Sequence, residues 1–572
     1  MIRSACLALV IALSLMVIPS ARAQPVTVGH VDSSLYPIRV LYTATADASD
    51  VATVLDLAES AWEAQVVGMG WPVPSTQDAT GTIIPGLWIY VDPDGEYNYG
   101  MPLGDNPGTT HTDCTVAVIV SSVTMPSYLE VVVPHEVNHA LQMAVDCTES
   151  GFAYENTTVA VTTLTDPTNA YFTSYFLPAF QEWPHAGLDC TYQNDQAHYY
   201  YHYGSSLFAL FLEERYGDAD GKLLVAIWNA AKQDGTVTVG AMGPTSSTAN
   251  EPDILDAMGT VLGEQGVTFA EAFVEFARWR FFIGADDDGA HFAYGADWTG
   301  GEVARAAQHA LADLPVVNAE PVEALADLGS AYVELDLAGL EEGKALTVQV
   351  RGGDLVAWHV DVLLVRADGT ADVETLTIDA AGTGQAVLTG LEVYTRAVLV
   401  ITNLGDADHD SDHPACTSRV MPAYELSLAD ATVPPVLDSV SPAELTAGEG
   451  AYLWVTGTEL GAAPQVVFSG AGIHVGAVDV LDGSTLGVEV TVDATATPGP
   501  RDVTVTNDDG LSDTLTGGVT VIAADPPVDA GDGDGCGCAT SRPDAGAGAL
   551  LLIVLGWLWV RRRAAAVSRR GR

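Results

Sequence analysis

The stretch V-V-V-P-H-E-V-N-H-A-L-Q-M, Val131 to Met143, decides how the first half of this chain is read. The flanks Val131, Val132, Leu141 and Met143 suit a buried helix. On a helix, His135 and His139 stand four residues apart and project from one face, so both imidazoles reach a single metal ion. Glu136 then points at a water bound to that ion. Pro134 allows two readings. If the helix starts at Ser127, with Ser127 and Glu130 as a capping box, the proline removes the bond to the Glu130 carbonyl and bends the helix. If it occupies the first helical position, its missing N–H costs nothing. We read Pro134 as the point where the chain enters the helix, and either way His135 and His139 keep their shared face.

Two histidines leave the metal short of a protein ligand. A metzincin pattern requires glycine and histidine three and six residues after His139, where the chain has Gln142 and Val145. A gluzincin-like site takes a glutamate from the following helix. Glu155, in F-A-Y-E-N-T-T-V-A-V, lies sixteen residues beyond His139 among helical, apolar neighbours. Glu149 and Asp146, which read as loop residues, and His185 and His198 are its rivals. The segment Ala197 to Gly204 offers His198, Tyr200, Tyr201, His202 and Tyr203 as donors to a developing oxyanion; for any one of them, simple packing is the plainer role. Thr115 to Ser121 precedes the metal helix as an edge strand would and is a candidate for pairing with an extended peptide.

At 572 residues and 48% hydrophobic, the chain is too long for one core and apolar enough to fill several. Eight of its 22 Lys and Arg residues fall in the first 23 or last 24 positions, so the part between carries 14 basic against 75 acidic groups, net −61. Such a surface repels phosphate backbones and stays soluble in salt, which excludes nucleic acid as a partner.

Residues 1–23 read as a signal peptide: Arg3, an apolar stretch from Cys6 to Pro19, and the A-x-A site Ala21-Arg22-Ala23. Residues 24–315 mix strands (Ile38–Thr43, Gly86–Val91, Thr115–Ser121) with helices (Asp47–Val67, Gly204–Tyr216, Gly221–Lys232, Glu251–Gly263, Thr268–Gly284), an α+β pattern that turns helical in its second half. Short alternating segments over 316–431 and again over 432–523 predict two all-β sandwiches. A Pro/Gly/Asp-rich linker, 524–548, leads to 549–572, an apolar membrane segment with an Arg561-Arg-Arg563 stop. The expected fold class is therefore multidomain: an α+β zincin-like, gluzincin-like catalytic domain, two β-sandwiches and a C-terminal transmembrane segment.

Cys114, Cys147, Cys190 and Cys416 are candidates for two disulfides in an oxidising compartment. Calcium has a weak claim in Asp406-Ala-Asp-His-Asp-Ser-Asp-His413, which lacks the glycine and closing glutamate of a calcium loop and reads more simply as a solvated acidic loop.

Several segments together resemble the secreted zinc metalloproteases of myxobacteria. H-E-V-N-H-A-L-Q, Y-E-N-T-T-V-A-V, H-Y-G-S-S-L-F-A-L-F-L-E-E-R-Y-G and F-V-E-F-A-R-W-R-F-F-I-G look like that family's H-E-x-x-H-A-x-Q helix, E-G-T-A helix and later helices, over about residues 35–310. The resemblance implies that His135, His139 and Glu155 hold zinc and that Glu136 is the catalytic glutamate. The chain departs from the family at E-N-T-T, where Asn156 and Thr158 replace small residues at a point of close helix packing. The block from Pro434 to Ile522 resembles the immunoglobulin-like IPT/TIG domains. Gly535-Cys536-Gly537-Cys538, followed by an apolar helix and arginines, resembles the myxobacterial C-terminal sorting tag, in which a cysteine such as Cys536 or Cys538 is processed for surface display. The expectation is an exported, surface-anchored zinc endopeptidase with a peptide or protein substrate, a processing protease acting on its tag, and membrane contact through the C-terminal segment. The alternative is a surface adhesin with a vestigial zincin domain.

Overall fold

In a computed structural model, residues 25–524 are described except 78–81, 95–99, 105–115, 121–125, 148, 168, 192–198, 233–238, 241–242, 245–250, 406–418, 431–433 and 508–510. The expected signal peptide, linker, sorting tag and membrane segment lie outside the described residues. So do the Asp406–His413 loop, Cys114, Cys416, Cys536 and Cys538. Among the described residues no helix is long and apolar enough to cross a membrane. The chain divides between residues 432 and 433 into two compact units, and the architecture is α+β followed by β-sandwiches.

The first unit begins with a five-stranded sheet in the order β1 (Gly29–Asp32), β2 (Ile38–Tyr42), β5 (Leu87–Val91), β7 (Val116–Val120) and β6 (Gly100–Gly104), with β3 (Ser75–Gln77) and β4 (Ile83–Pro85) forming a separate hairpin. The central strands β2, β5 and β7 run parallel, and β1 and β6 flank them antiparallel. Val40, Leu87, Ile89, Val91, Val118 and Val120 have no exposed surface. That near-continuous apolar reading is what a covered parallel sheet requires. Thr115–Ser121 was expected to be an edge strand, but β7 is paired on both sides, to β5 and to β6. The two end strands of the sheet are β1 and β6, the latter a strand that alternates poorly in sequence and gave no signal.

Helices α1 (Ala48–Trp62) and α2 (Pro126–Val145) pack on each other and on β2 and β7. In α1 the buried side chains Val51, Val54, Ala58, Ala61 and Trp62 share one face at helical spacing. The helix continues into a wider π-turn, Glu63–Met69, that turns Gln65 inward. Pro134 is not the entry to its helix. The helix enters at Pro126, eight residues earlier, and Pro134 lies inside it. At that interior position the missing N–H takes from the Glu130 carbonyl its intrahelical donor, while the Pro134 carbonyl accepts from Gln65 Nε2 at 2.9 Å and Gln65 Oε1 accepts from Asn138 Nδ2 at 3.2 Å.

The remaining helices are α3 (Gly151–Thr165), α4 (Leu177–Gln181), α5 (Tyr201–Gly204), α6 (Ser206–Tyr216), α7 (Lys222–Ala231), α8 (Ile254–Gly263) and α9 (Phe269–Trp279). Local chemistry sets their starts. Ser150 Oγ accepts from Ala153 N, Asp253 caps Leu255 and Asp256, and Thr268 with Glu271 forms a reciprocal capping box.

A β-sandwich completes this unit. One sheet runs Ala307–Ala310, Gly329–Asp336, Tyr394–Asn403, Trp358–Arg366, Ala371–Thr375; the other runs Val316–Ala319, Ala423–Asp430, Lys344–Arg351, Thr383–Leu388. Val398 to Ile401 are buried without alternation because the first sheet is covered on both faces. One face joins the sandwich core. On the other, Tyr332, Leu363, Val365, Val398 and Val400 pack against Ala277, Phe281, Phe282 and Val303 of the helical half. Tyr332 Oη donates to the Ala277 carbonyl at 2.6 Å. Beside this seam Asp286 pairs with Arg305 at 2.5 Å and with Arg396 at 2.7 Å, and Glu334 takes the second bond of Arg305 at 2.9 Å. The acidic run Asp286-Asp-Asp-Gly289, which reads as a turn, therefore contributes one carboxylate to the junction. The second unit is a two-sheet sandwich, ordered Val436–Ser441, Gly450–Thr458, Thr485–Val492, Ile473–Asp482 and Glu444–Thr446, Ser512–Ile522, Gly499–Thr506, Gln465–Phe468.

Candidate metal centre

Helices α2 and α3 pack side by side, and their facing side chains meet at one point. His135 Nε2 and His139 Nε2 are 3.1 Å apart, and Glu155 Oε2 is 3.2 Å from the first and 3.6 Å from the second. Four ligands at about 2.0–2.1 Å from a tetrahedral zinc stand roughly 3.3 Å from one another, so these separations fit one ion. Among the described residues this is the group whose ligand atoms all lie within 4.8 Å. The side chains of His135, His139 and Glu155 are 8%, 3% and 12% exposed, which makes the Glu155 side the more open to water.

The other proposed third ligands are elsewhere. Asp146 and Glu149 are buried at the turn between α2 and α3, where both raise the Tyr154 phenol further after burial has done most of that work. His185 packs on Trp183 in the segment that pairs its backbone with Ala326 of the sandwich. His198 lies outside the described residues.

The four ionisable side chains His135, Glu136, His139 and Glu155 act on one another's charge. Burial opposes charge on every member, but the Glu155 carboxylate overcomes it at His139, whose pKa rises to about 9. Glu155 itself is buried yet held well below the carboxylate range by the histidines, His139 foremost. Burial and the neighbouring His139 depress His135. Burial pushes Glu136 up to about 8, and its Oε2 is enclosed without a hydrogen-bond partner. A buried carboxylate oxygen without a hydrogen-bond partner beside three metal-type ligands is the arrangement expected where a cation or its water would satisfy it.

A second layer of polar side chains, absent from the sequence reading, holds His139. Its Nδ1 lies 2.8 Å from Gln142 Oε1, an acceptor only, so Nδ1 carries the proton and leaves the Nε2 lone pair to the metal. Gln142 Nε2 donates to the Tyr154 carbonyl at 3.1 Å and Thr157 Oγ1 at 2.6 Å, and Trp228 Nε1 donates to the same Thr157 oxygen at 2.8 Å. Thr158 Oγ1 is 2.9 Å from Asn138 Oδ1 and Gln142 Oε1 and 3.1 Å from His139 Nδ1. The departure from E-G-T-A is thereby used. Thr158 joins this layer, while Asn156 Nδ2 donates to the Ser205 carbonyl at 2.7 Å and ties α3 to the start of α6. Buried in that contact, Asn156 is also closed to the glycan its N-T-T triplet fits on paper. Gln142 could have been found from its i+3 spacing to His139; Thr157, Thr158 and Gln65 had no such signal.

The aromatic segment after residue 198 splits by role. Tyr201 is spent on structure, its Oη donating to the carbonyls of Ala186 and Gly187. Tyr203 is buried with its ring 6.4 Å from His135 and stacked on Phe176 at 5.0 Å. His202 lies against Tyr203, with burial lowering it to about 4 and its Nδ1 enclosed without a partner. Tyr200 stands one ring farther out, against Phe176 and Tyr175. Tyr199, which carries no signal in the sequence, has its Oη enclosed, and burial raises its phenol to about 12 against the opposing pull of the Tyr203 hydroxyl, with the Glu155 carboxylate assisting. Elsewhere, Cys147 and Cys190 are buried and each takes part in a disulfide.

No family model and no curated protein matches the chain. Among solved structures, a γ-CGTase from Alkalophilic bacillus clarkii aligns at 16% identity over 32% of this chain and 23% of its own, with a TM-score of 0.14. Titin Ig tandem domains align at 10% identity over 32% of this chain and 91% of their own, with a TM-score of 0.12. The chain thus spans under a quarter of the first of these, and overlaps this slight carry no argument about fold or activity.

Proposed function

We propose that this protein is an exported zinc-dependent endopeptidase displayed at the cell surface, with a zincin-like, gluzincin-like catalytic half. The reading is carried by one observation: His135, His139 and Glu155 converge at the spacing of a single zinc ion, with Glu136 enclosed beside them. Zinc bound there supplies a Lewis acid that polarises a carbonyl and acidifies a water near neutral pH.

The chain's own residues account for the rest. Gln142 and Thr158 fix the His139 ring, and Glu155 contributes the negative ligand. Glu136 takes the proton of the attacking water and delivers it to the leaving amine, a two-way transfer that suits a carboxyl whose affinity for protons burial has raised. Tyr199 and Tyr203, kept protonated by burial, have the chemistry of oxyanion donors. An extended peptide would add beside β6, an end strand of the sheet. Surface display rests on the signal peptide, the cysteine-containing tag and the apolar C-terminal segment in the sequence, with a processing protease as the partner.

The test is metal analysis of the purified protein together with peptide cleavage by wild type and Glu136→Gln. Zinc near one per chain and cleavage abolished in the variant support the reading. Cleavage retained by the variant sinks the mechanism, and zinc without turnover would favour the surface adhesin.

A further inference from the structure

The strands of the second unit alternate in burial, unlike the doubly covered sheet of the first. Along Gly450–Thr458, Leu453 and Val455 have no exposed surface while Tyr452 and Trp454 are 42% and 44% exposed. These two outward rings lie 5.3 Å apart and edge to face. They occupy a prepared position. Strand register sets Gly487 opposite Trp454 and Glu489 opposite Tyr452, and Tyr452 Oη donates to Asp479 Oδ2 at 2.9 Å. A Cβ at Gly487 would stand 2.0 Å from Tyr452 Oη and 2.6 Å from Cζ, so only glycine there lets the ring lie across the sheet. On the far side of the rings, Ser439 and Thr456 share a hydroxyl bond at 2.8 Å.

We propose that this face is a binding site for an uncharged polysaccharide. A pyranose offers apolar C–H faces with hydroxyls around the rim. The two rings accept the former, and the carboxylates and hydroxyls around them pair with the latter. Between residues 434 and 524 Arg501 stands alone against twelve Asp and Glu residues, which excludes phosphorylated, sulfated or uronic-acid ligands. Size argues against a protein partner. The two rings together expose roughly 200 Å², the footprint of one or two sugar rings, whereas a stable protein interface covers about 800 Å² on each side. The site is independent of the metal centre and stands or falls without it.

The experiment is affinity electrophoresis of the full chain in gels containing laminarin, xylan or galactomannan, with alginate and polylysine as anionic and cationic comparisons. The wild type should be retarded by at least one neutral polysaccharide and not by alginate. Tyr452→Ala/Trp454→Ala should weaken that retention by about tenfold or more, the effect of removing aromatic anchors. Gly487→Val, which displaces the Tyr452 ring and keeps both aromatics, should weaken it as well, and near-UV circular dichroism checks that each variant is folded. Absence of retention by all three neutral polymers, unchanged retention in the folded double variant, or retention by polylysine alone would overturn the proposal.

Discussion

Replacing Gln142 with leucine separates a packing residue from one that holds a metal ligand. Gln142 has no exposed surface and makes four polar contacts, two from each end of its amide. Leucine keeps about the same volume and deletes all four. At the amide nitrogen the loss is moderate. Thr157 Oγ1 still accepts from Trp228 and donates to the Ala153 carbonyl at 2.7 Å, so the deficit is two hydrogen bonds at about 0.5–1.5 kcal/mol each. At the amide oxygen the loss is more specific. The His139 Nδ1 proton is left with Thr158 Oγ1 at 3.1 Å, a hydroxyl shared with Asn138. The metal-free protein should lose roughly 2–4 kcal/mol, a large part of the 5–15 kcal/mol typical of a domain. Zinc affinity should fall about 10- to 100-fold as the ring loses its fixed orientation. Chelator competition measures the second quantity and denaturation of the metal-free protein the first. Destabilisation with unchanged zinc affinity would show that Gln142 only packs, and the role assigned to it would fail.

Metal uptake should depend on pH through His139. Its raised folded pKa means that the His139–Glu155 pair stabilises the metal-free protein fully below the ordinary value of 6.5 and that this contribution is lost as pH rises through about 9. Protons and metal compete for the same ring, so apparent zinc affinity should climb from pH 6.5 to about 9 and then level, with proton release visible by calorimetry in buffers of different ionisation enthalpy. A flat profile would contradict the coupling to Glu155. Pro134→Ala should stabilise the protein by roughly 1–3 kcal/mol in thermal unfolding, because it restores a donor inside a helix; a neutral result would favour a helix that starts at the proline. Asp286→Ala removes the carboxylate shared by Arg305 and Arg396 and should cost about 3 kcal/mol, read as earlier thermal unfolding of the first unit; loss of under half a kcal/mol would make the junction purely apolar.

The elements legible in the sequence were those whose own periodicity suffices. The 3.6-residue face of α1, the i, i+4 histidines of α2 and the alternating strands of the second unit depend on near neighbours, and their positions follow from the backbone alone. Glu155 was legible from its own helical, apolar neighbours in the segment after the histidines, where a gluzincin-like site takes a glutamate. What the fold alone decided lay between segments far apart in the chain. Pro134 falls inside its helix, where its carbonyl accepts from Gln65, 69 residues away, a contact that no local pattern announces. Residues 116–120 lost the edge of the sheet to a strand with little pattern of its own. Thr158 and Asn156, which look like departures from a family, became hydrogen-bonding partners only when α3 met α2 and the start of α6. Periodicity is a property of one segment; a buried polar contact belongs to two, and only tertiary packing determines which two.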